Sequence, residues 1–184
     1  IPILIYVKSS LFANALAIND FKIYLFMYST FLQRAYDEII HDIARMNSNV
    51  TFLIDRGGLI GADGETHQGI YDVSFFYSIP NVALSMPHDE TDAKNLFELS
   101  KTYNHPFGIR YTPTYLSGEN DYVSTKELKF GEWDYVINES DEVAFITFGP
   151  HLNDIYGGLQ GKKVTLINSL FIKNQTIIFF HTSI

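Results

Sequence analysis

The chain has 184 residues, of which 46% are hydrophobic and 15% aromatic, and a formal net charge of −8. That is enough apolar material for a real core and too much for a disordered chain, and the acidic balance argues against a nucleic-acid reader, which carries basic patches. No cysteine is present, which removes a disulfide framework and thiolate chemistry and suits a reducing cytoplasm.

The opening stretch, IPILIYVKSSLF, is apolar but short. It lacks the basic start and the cleavage site of a signal peptide, and no run approaches the roughly 18 to 20 apolar residues of a membrane span. The chain starts without Met inside one apolar run and stops in another, IIFFHTSI, which reads as a piece of a longer protein. Phe21 to Tyr28 is aromatic and β-branched and reads as a strand. Ser29 and Thr30 offer N-cap hydroxyls to a helix from Phe31 to Met46, whose apolar residues fall at 31, 35, 39, 40 and 43. Val50 to Ile54 reads as a buried strand, Tyr71 to Tyr77 as a short helix and Asn81 to Ser85 as a strand. Pro87 and Asp89 open a helix to about Tyr103, with Ala93, Leu96, Phe97 and Ser100 on one face, and Phe107 to Tyr111 is a further strand.

Strands alternating with helices predict an α/β fold, a parallel sheet with helices on both faces. The pattern dissolves from Thr112 to about Ser140, with one short strand near Trp133 to Ile137. A second unit follows: VAFITFG as a buried strand, a helix from Pro150 to Leu159, and KKVTLIN as another strand. The division expected is a first domain over 1–118, a linker over 119–141 and part of a second α/β domain over 142–184.

Between the strand at Val50 and the helix at Tyr71 lies DRGGLIGADGETHQG, Asp55 to Gly69, with five of the chain's twelve glycines. A loop this long inside a compact domain usually binds something, and glycines let its backbone approach a ligand. Charged groups at a strand's C-terminal end sit where open α/β sheets take ligands. His67 either hydrogen-bonds its own backbone or donates to a substrate oxygen. Asp63 is either the first residue of an Asp-Gly turn or a group that orients a substrate hydroxyl. Arg56 either pairs with Asp55 or Asp37 or clamps a phosphate or carboxylate. Arg34, in a first helical turn where a cation is disfavoured, is solvated or holds an anion. Tyr28, Phe31 and Tyr36 are core packing or a flat wall for a heteroaromatic ring. Asp37 and His41 read as a helix-surface pair, and His88, His105, His151 and His181 have no metal-ligand spacing, so no metal is expected on this chain. No Walker loop, nucleophile elbow or dinucleotide fingerprint is present.

Tyr28 to Glu90 closely resembles the 1-deoxy-D-xylulose-5-phosphate synthase family, through YSTFLQRAYD, DRGGLIGADGETHQG and IPN in this order. The likeness continues through PFGIRY, and VAFITFG and VTLINSLFIK resemble the opening of that family's C-terminal domain. The resemblance implies a transketolase-like, thiamine-diphosphate pyrimidine-binding fold over residues 1–118. It implies condensation of pyruvate with glyceraldehyde 3-phosphate with loss of CO2, feeding isoprenoid, thiamine and pyridoxal synthesis. Thiamine diphosphate and Mg2+ are the implied cofactors, with diphosphate and metal held by an N-terminal domain absent from this chain, and the assembly implied is a cytoplasmic homodimer. By position, Phe31 would stack on the aminopyrimidine, with Tyr28 and Arg34 at the same end. Asp63 and His67 would contact substrate, and Arg56 would help hold the acceptor's phosphate.

Three departures stand beside the likeness. The family's pyrimidine-contacting Glu lies in a G-I-A-E-Q-H-A run, and Tyr6 falls at its place. The family's second phosphate-binding Arg follows R-Y-P, whereas Arg110-Tyr111 here leads into Thr112-Pro113. The diphosphate-binding domain is missing. The chain therefore reads as a fragment of a working synthase, inactive alone. The alternatives are a non-catalytic relative that keeps the fold, or a beta-type subunit of a two-chain 2-oxo-acid dehydrogenase.

Overall fold

The computed structural model describes residues 2–112, 122–140 and 142–174. In chain order the elements are α1 (Pro2–Ala17), β1 (Ile23–Tyr28), the helical segment α2 (29–44), β2 (Val50–Asp55), α3 (Asp72–Ser78), β3 (Ala83–Ser85), α4 (Glu90–Thr102) and β4 (Phe107–Arg110). Then come β5 (Asp134–Asn138), β6 (Ala144–Thr147), α5 (His151–Leu159), β7 (Thr165–Asn168) and β8 (Phe171–Lys173). Five strands form one sheet in the order β1-β2-β4-β3-β8, and β5-β7-β6 form a second. Among the described residues no helix is long and apolar enough to cross a membrane.

β2 explains why the sheet is covered on both faces. Its side chains alternate, so Val50, Phe52 and Ile54 join the core under α1, α2 and α3, while Leu53 joins Leu96 of α4 on the other face. Both sets are buried, so a central parallel strand reads as an unbroken apolar run. β1, β2, β4 and β3 run parallel, and Tyr28 lies level with Asp55 while Ile54 lies level with Arg110. The C-terminal ends of three strands therefore share one edge, and the glycine-rich loop leaves from it.

The α/β fold expected from the alternation is present, with five departures. The opening apolar stretch is a helix, α1, which packs against β1, β2 and α2. α2 begins at Ser29, not after it: Tyr28 is its N-cap, and neither Ser29 nor Thr30 caps it through a side chain. The helix is also not regular. It passes through a 3-10 turn at Gln33–Ala35 and a π segment at Ile39–Ala44, where Arg45 N–H reaches Ile40 O and Ser48 N–H reaches Ile43 O. β6, expected to be buried, is an edge strand with Phe145 and Ile146 exposed, because its inner neighbour β7 covers only one side. Finally, β8 does not join the second sheet but pairs antiparallel with β3, so the first sheet is mixed.

β8 is held there by Lys173. Its ammonium is buried and donates to Phe76 O at 2.9 Å and to Ile79 O, two carbonyls at the end of α3. A cation at a helix C-terminus meets the negative end of the dipole, although burial still lowers the lysine's pKa. Phe130 adds an apolar tie, stacked on Tyr103 at 4.2 Å and tilted against Phe171 at 5.0 Å.

A polar knot joins the two sheets. His88 is buried, its Nδ1 against Asp92 and its Nε2 donating to Tyr122 O at 3.0 Å, with Asp89 Oδ2 at 3.5 Å. Asp89 also caps α4, accepting from Asp92 N–H at 2.7 Å. Asn168 Nδ2 reaches Asp92 at 3.4 Å, and Tyr122 donates from its hydroxyl to Asp134 at 2.7 Å. A histidine without ligand spacing in sequence is thus brought against two carboxylates. Both ring nitrogens face acceptors, an arrangement that favours the imidazolium. Burial opposes that charge, but the hydrogen bond and charge of Asp92, the Tyr122 carbonyl and Asp89 together raise the pKa above its ordinary 6.5.

A raised folded-state pKa stabilises fully below the unfolded value, and the contribution is lost as pH rises through the folded value. The melting temperature of the wild-type protein should therefore fall, relative to His88→Asn, as pH is raised above about 6.5. Parallel melting profiles for the two proteins would contradict the charged-ring assignment.

Candidate functional site

The loop after β2 is shaped by its glycines and by a buried arginine. Arg110, the last residue of β4, runs beneath the loop. Its Nε donates to Asp72 Oδ2 at 2.8 Å and a terminal nitrogen donates to Gly69 O at 3.1 Å. Both partners of the ion pair are buried, and Asp72 opens α3, where a carboxylate is favoured. A Cβ on Gly57 would lie 2.7 Å from Arg110 Cγ, so only glycine clears the guanidinium. Gly58 and Gly69 exchange both backbone hydrogen bonds, at 2.7 and 2.9 Å, and so close the loop into a ring. A Cβ on Gly69 would collide with Arg56 O and lie 2.7 Å from Ser29 Oγ. Inside the ring Gln68 acts as a brace: its side chain accepts from Ile60 N–H at 2.7 Å and donates to Ile60 O at 2.9 Å.

This closure carries the candidate residues to one place. Arg56, in the left-handed region at φ 57°, turns its guanidinium back over the loop and pairs with Asp63, not with Asp55 or Asp37. Its carbon centre lies 4.5 Å from the Tyr28 ring centroid. The hydrogen bond to Asp63 leads in raising the arginine's pKa, against some desolvation. His67 presents its ring edge to Phe31 at 5.3 Å, and its Nδ1 meets Thr66 Oγ1 at 2.8 Å. Phe31 stacks with Tyr28 at 5.5 Å, and Arg34, exposed, sits 5.6 Å from the Phe31 centroid. Tyr28, Phe31, Arg34, Arg56, Asp63 and His67 are therefore neighbours. Tyr36 is not among them, since it packs on Phe75.

Beside the wall lies an open cleft lined by Tyr6, Phe26, Met27, Tyr28, Phe31, Asp55 and Tyr111. Burial, with Asp55 and Tyr28 adding, raises the Tyr111 pKa and keeps its phenol a donor. Three buried polar atoms around the site, Ser29 Oγ, Arg56 Nε and Asp63 Oδ2, have no partner among the described residues. Buried polar groups are normally paired, so such a cluster suits a polar ligand that completes it. A flat aromatic wall, a guanidinium with a spare nitrogen, a carboxylate and an imidazole can together seat a planar ring beside an anionic substrate. Sequence reading missed Arg110, Asp72 and Gln68 as supports. The visible signal for the first was a cation closing an apolar strand, FGIR.

Residues 10–116 match the transketolase pyrimidine-binding domain. The chain is 45% identical over 167 residues to a 1-deoxy-D-xylulose-5-phosphate synthase of Listeria innocua, covering 88% of this chain and 26% of the relative. It is 39% identical over 175 residues to the synthase of Bacillus cereus, covering 92% of this chain and 28% of the relative. The chain thus spans about a quarter of the length of these relatives. Among solved structures it resembles a split-gene transketolase in an inactive β4 tetramer, with TM-score 0.76, 16% identity, 90% of this chain and 55% of that one covered. It also resembles the transketolase of Campylobacter jejuni, with TM-score 0.69, 19% identity, 88% of this chain and 26% of that one covered. At these identities the structural likeness speaks for the fold.

Arg110→Met should cost about 3–5 kcal/mol of stability, because Asp72 would stay buried without its partner. Adding Asp72→Asn to that variant should recover part of the loss, read by denaturant titration. Equal stability of Arg110→Met and wild type would refute the role given to the pair.

Proposed function

Because the chain belongs to the transketolase pyrimidine-binding domain family, we propose that it is the pyrimidine-binding part of a 1-deoxy-D-xylulose-5-phosphate synthase. The complete enzyme would condense pyruvate with glyceraldehyde 3-phosphate and release CO2. The observation that carries this reading is the convergence of Arg56, Asp63 and His67 on the Tyr28–Phe31 wall, with unpartnered polar atoms among them. Residues 1–118 would form the pyrimidine-binding domain and 119–141 the linker. Residues 142–184 would begin the C-terminal domain, in a cytoplasmic enzyme that also serves thiamine and pyridoxal synthesis.

The chain's groups suit a thiamine-type cofactor at its ring end. Phe31 and Tyr28 offer the flat wall and Arg34 borders it. Mg2+ and the diphosphate would be held by a separate N-terminal domain. When bound, the cofactor supplies the electron sink that decarboxylation of a 2-oxo acid requires. The protein's part is to hold and orient. Asp63 engages Arg56 through one oxygen and leaves the other for a substrate hydroxyl. Arg56 keeps Nε for the acceptor's phosphate, fixed in place by Tyr28 beneath it. His67, held at Nδ1 by Thr66, presents its other nitrogen for proton exchange with a substrate oxygen. Leu59, Ile70, Tyr71 and Tyr77 stand exposed on and after the loop, and an apolar surface beside half a site suits a second subunit, in a homodimer.

One observation favours a second reading, a non-catalytic relative. Tyr6, not a carboxylate, stands against Phe31. Turnover decides between them. Full-length gene product supplied with thiamine diphosphate, Mg2+, pyruvate and glyceraldehyde 3-phosphate should form the pentulose phosphate and CO2. Arg56→Ala should raise the KM for glyceraldehyde 3-phosphate roughly tenfold or more, with little change for pyruvate, and His67→Ala should act mainly on kcat. Absence of product at saturating cofactor would favour the second reading.

A further inference from the structure

Phe31 is surrounded by groups of its own chain. Tyr6 of α1 stacks on it with centroids 4.5 Å apart and planes at 21°. Tyr28 stacks at 5.5 Å and 9°, His67 meets it edge-on, and the Arg34 guanidinium lies 5.6 Å from its centroid. Tyr6 also lines the cleft beside the wall, together with Asp55 and Tyr111. A planar ligand ring needs a free aromatic face at stacking distance, and the closest face at this site is already taken by a tyrosine of the same chain.

From this geometry we propose that Tyr6 is an internal competitor for the aromatic seat on Phe31. A heteroaromatic ring enters the seat only after Tyr6 has turned away, so Tyr6 sets the affinity of the site. The attachment of Tyr6 permits that movement. Among the described residues its hydroxyl makes no hydrogen bond, and its ring is only partly buried at the edge of the core. The backbone below it is secured independently, with Ser10 Oγ donating to Tyr6 O at 3.2 Å and α1 packed on β1. A side chain held by stacking can leave while its helix stays. The proposal rests on the reading of Phe31 as the seat of an aminopyrimidine ring.

The test is thiamine diphosphate binding by the full-length gene product, measured by isothermal titration with Mg2+ present for wild type, Tyr6→Ala, Tyr6→Leu, Phe31→Ala and the double variant Tyr6→Ala/Phe31→Ala. Displacing one aromatic stack corresponds to about a three- to tenfold change in Kd. Tyr6→Ala should bind that much tighter than wild type, and Tyr6→Leu, which keeps an apolar contact for α1 but has no ring, should lie between. Circular dichroism melts identify any variant that has lost its fold, and Tyr6→Leu carries the test if Tyr6→Ala is lost. Phe31→Ala should weaken binding, and in that background Tyr6→Ala should bring no gain. If Phe31→Ala weakens binding but removing the Tyr6 ring leaves Kd unchanged or raises it, the competitor is overturned while the cofactor reading stands. If no form binds, or Phe31→Ala has no effect, the cofactor reading fails and the competitor fails with it.

Discussion

A buried ion pair between Arg110 and Asp72 is the constraint on which the candidate site depends. Arg110 closes β4 and Asp72 opens α3, so the pair ties the edge of the sheet to the helix that follows the loop. Charges taken out of water need excellent geometry and further hydrogen bonds to hold. Arg110 meets that need by donating to Gly69 O as well as Asp72, with Met86 Sδ against its remaining nitrogen. The guanidinium then fills the space beneath Gly57, where an added Cβ would lie 2.7 Å from Arg110 Cγ and Nε. Gly57 is thus a consequence of the arginine below it, whereas Gly69 is required by the close approach of Arg56 O and Ser29.

From that base the site follows by short steps. Closing the ring at Gly58 and Gly69 leaves residues 59 to 68 as an outer lobe, braced internally by Gln68. The lobe delivers Asp63 to Arg56 and His67 to Phe31. The sheet does the remainder, because parallel strands in register place Tyr28, Asp55 and the end of β4 on one edge. The result is an aromatic wall, a constrained cation and several polar atoms without a partner among the described residues. The ends of the chain add two features. α1 lays Tyr6 across the wall, and β8, anchored by Lys173, completes the sheet on its far side.

Much of this was legible in residue order. The alternation of apolar runs in 21–28, 50–54, 81–85 and 107–111 with helical spacing between them gave the parallel core. DRGGLIGADGETHQG marked the loop, and its likeness to a known family named the residues worth watching. The failures share a cause. His88 had no ligand spacing, yet it meets Asp89, Asp92 and the carbonyl of Tyr122, the last from a segment more than thirty residues away. Residues 144–147 were apolar enough to suggest burial, but their exposure was set by where the strand sits in its sheet. The irregular turns of α2 left no mark in a spacing that still looked helical.

The α/β class, the order of the central strands and helices, the loop and the identity of its polar residues were readable in residue order, because those depend on local propensity and on the period of apolar residues. Tertiary structure alone decided which partners those residues took. Arg56 was offered Asp55 and Asp37 in sequence and chose Asp63, since a left-handed backbone turn at Arg56 aims its side chain back across the loop. Tyr6 was only a substitution in an apolar stretch until α1 folded against β1 and set its ring on Phe31. Partner choice is a matter of through-space distance, and distance between residues far apart in the chain exists only once the sheet has brought them to the same edge.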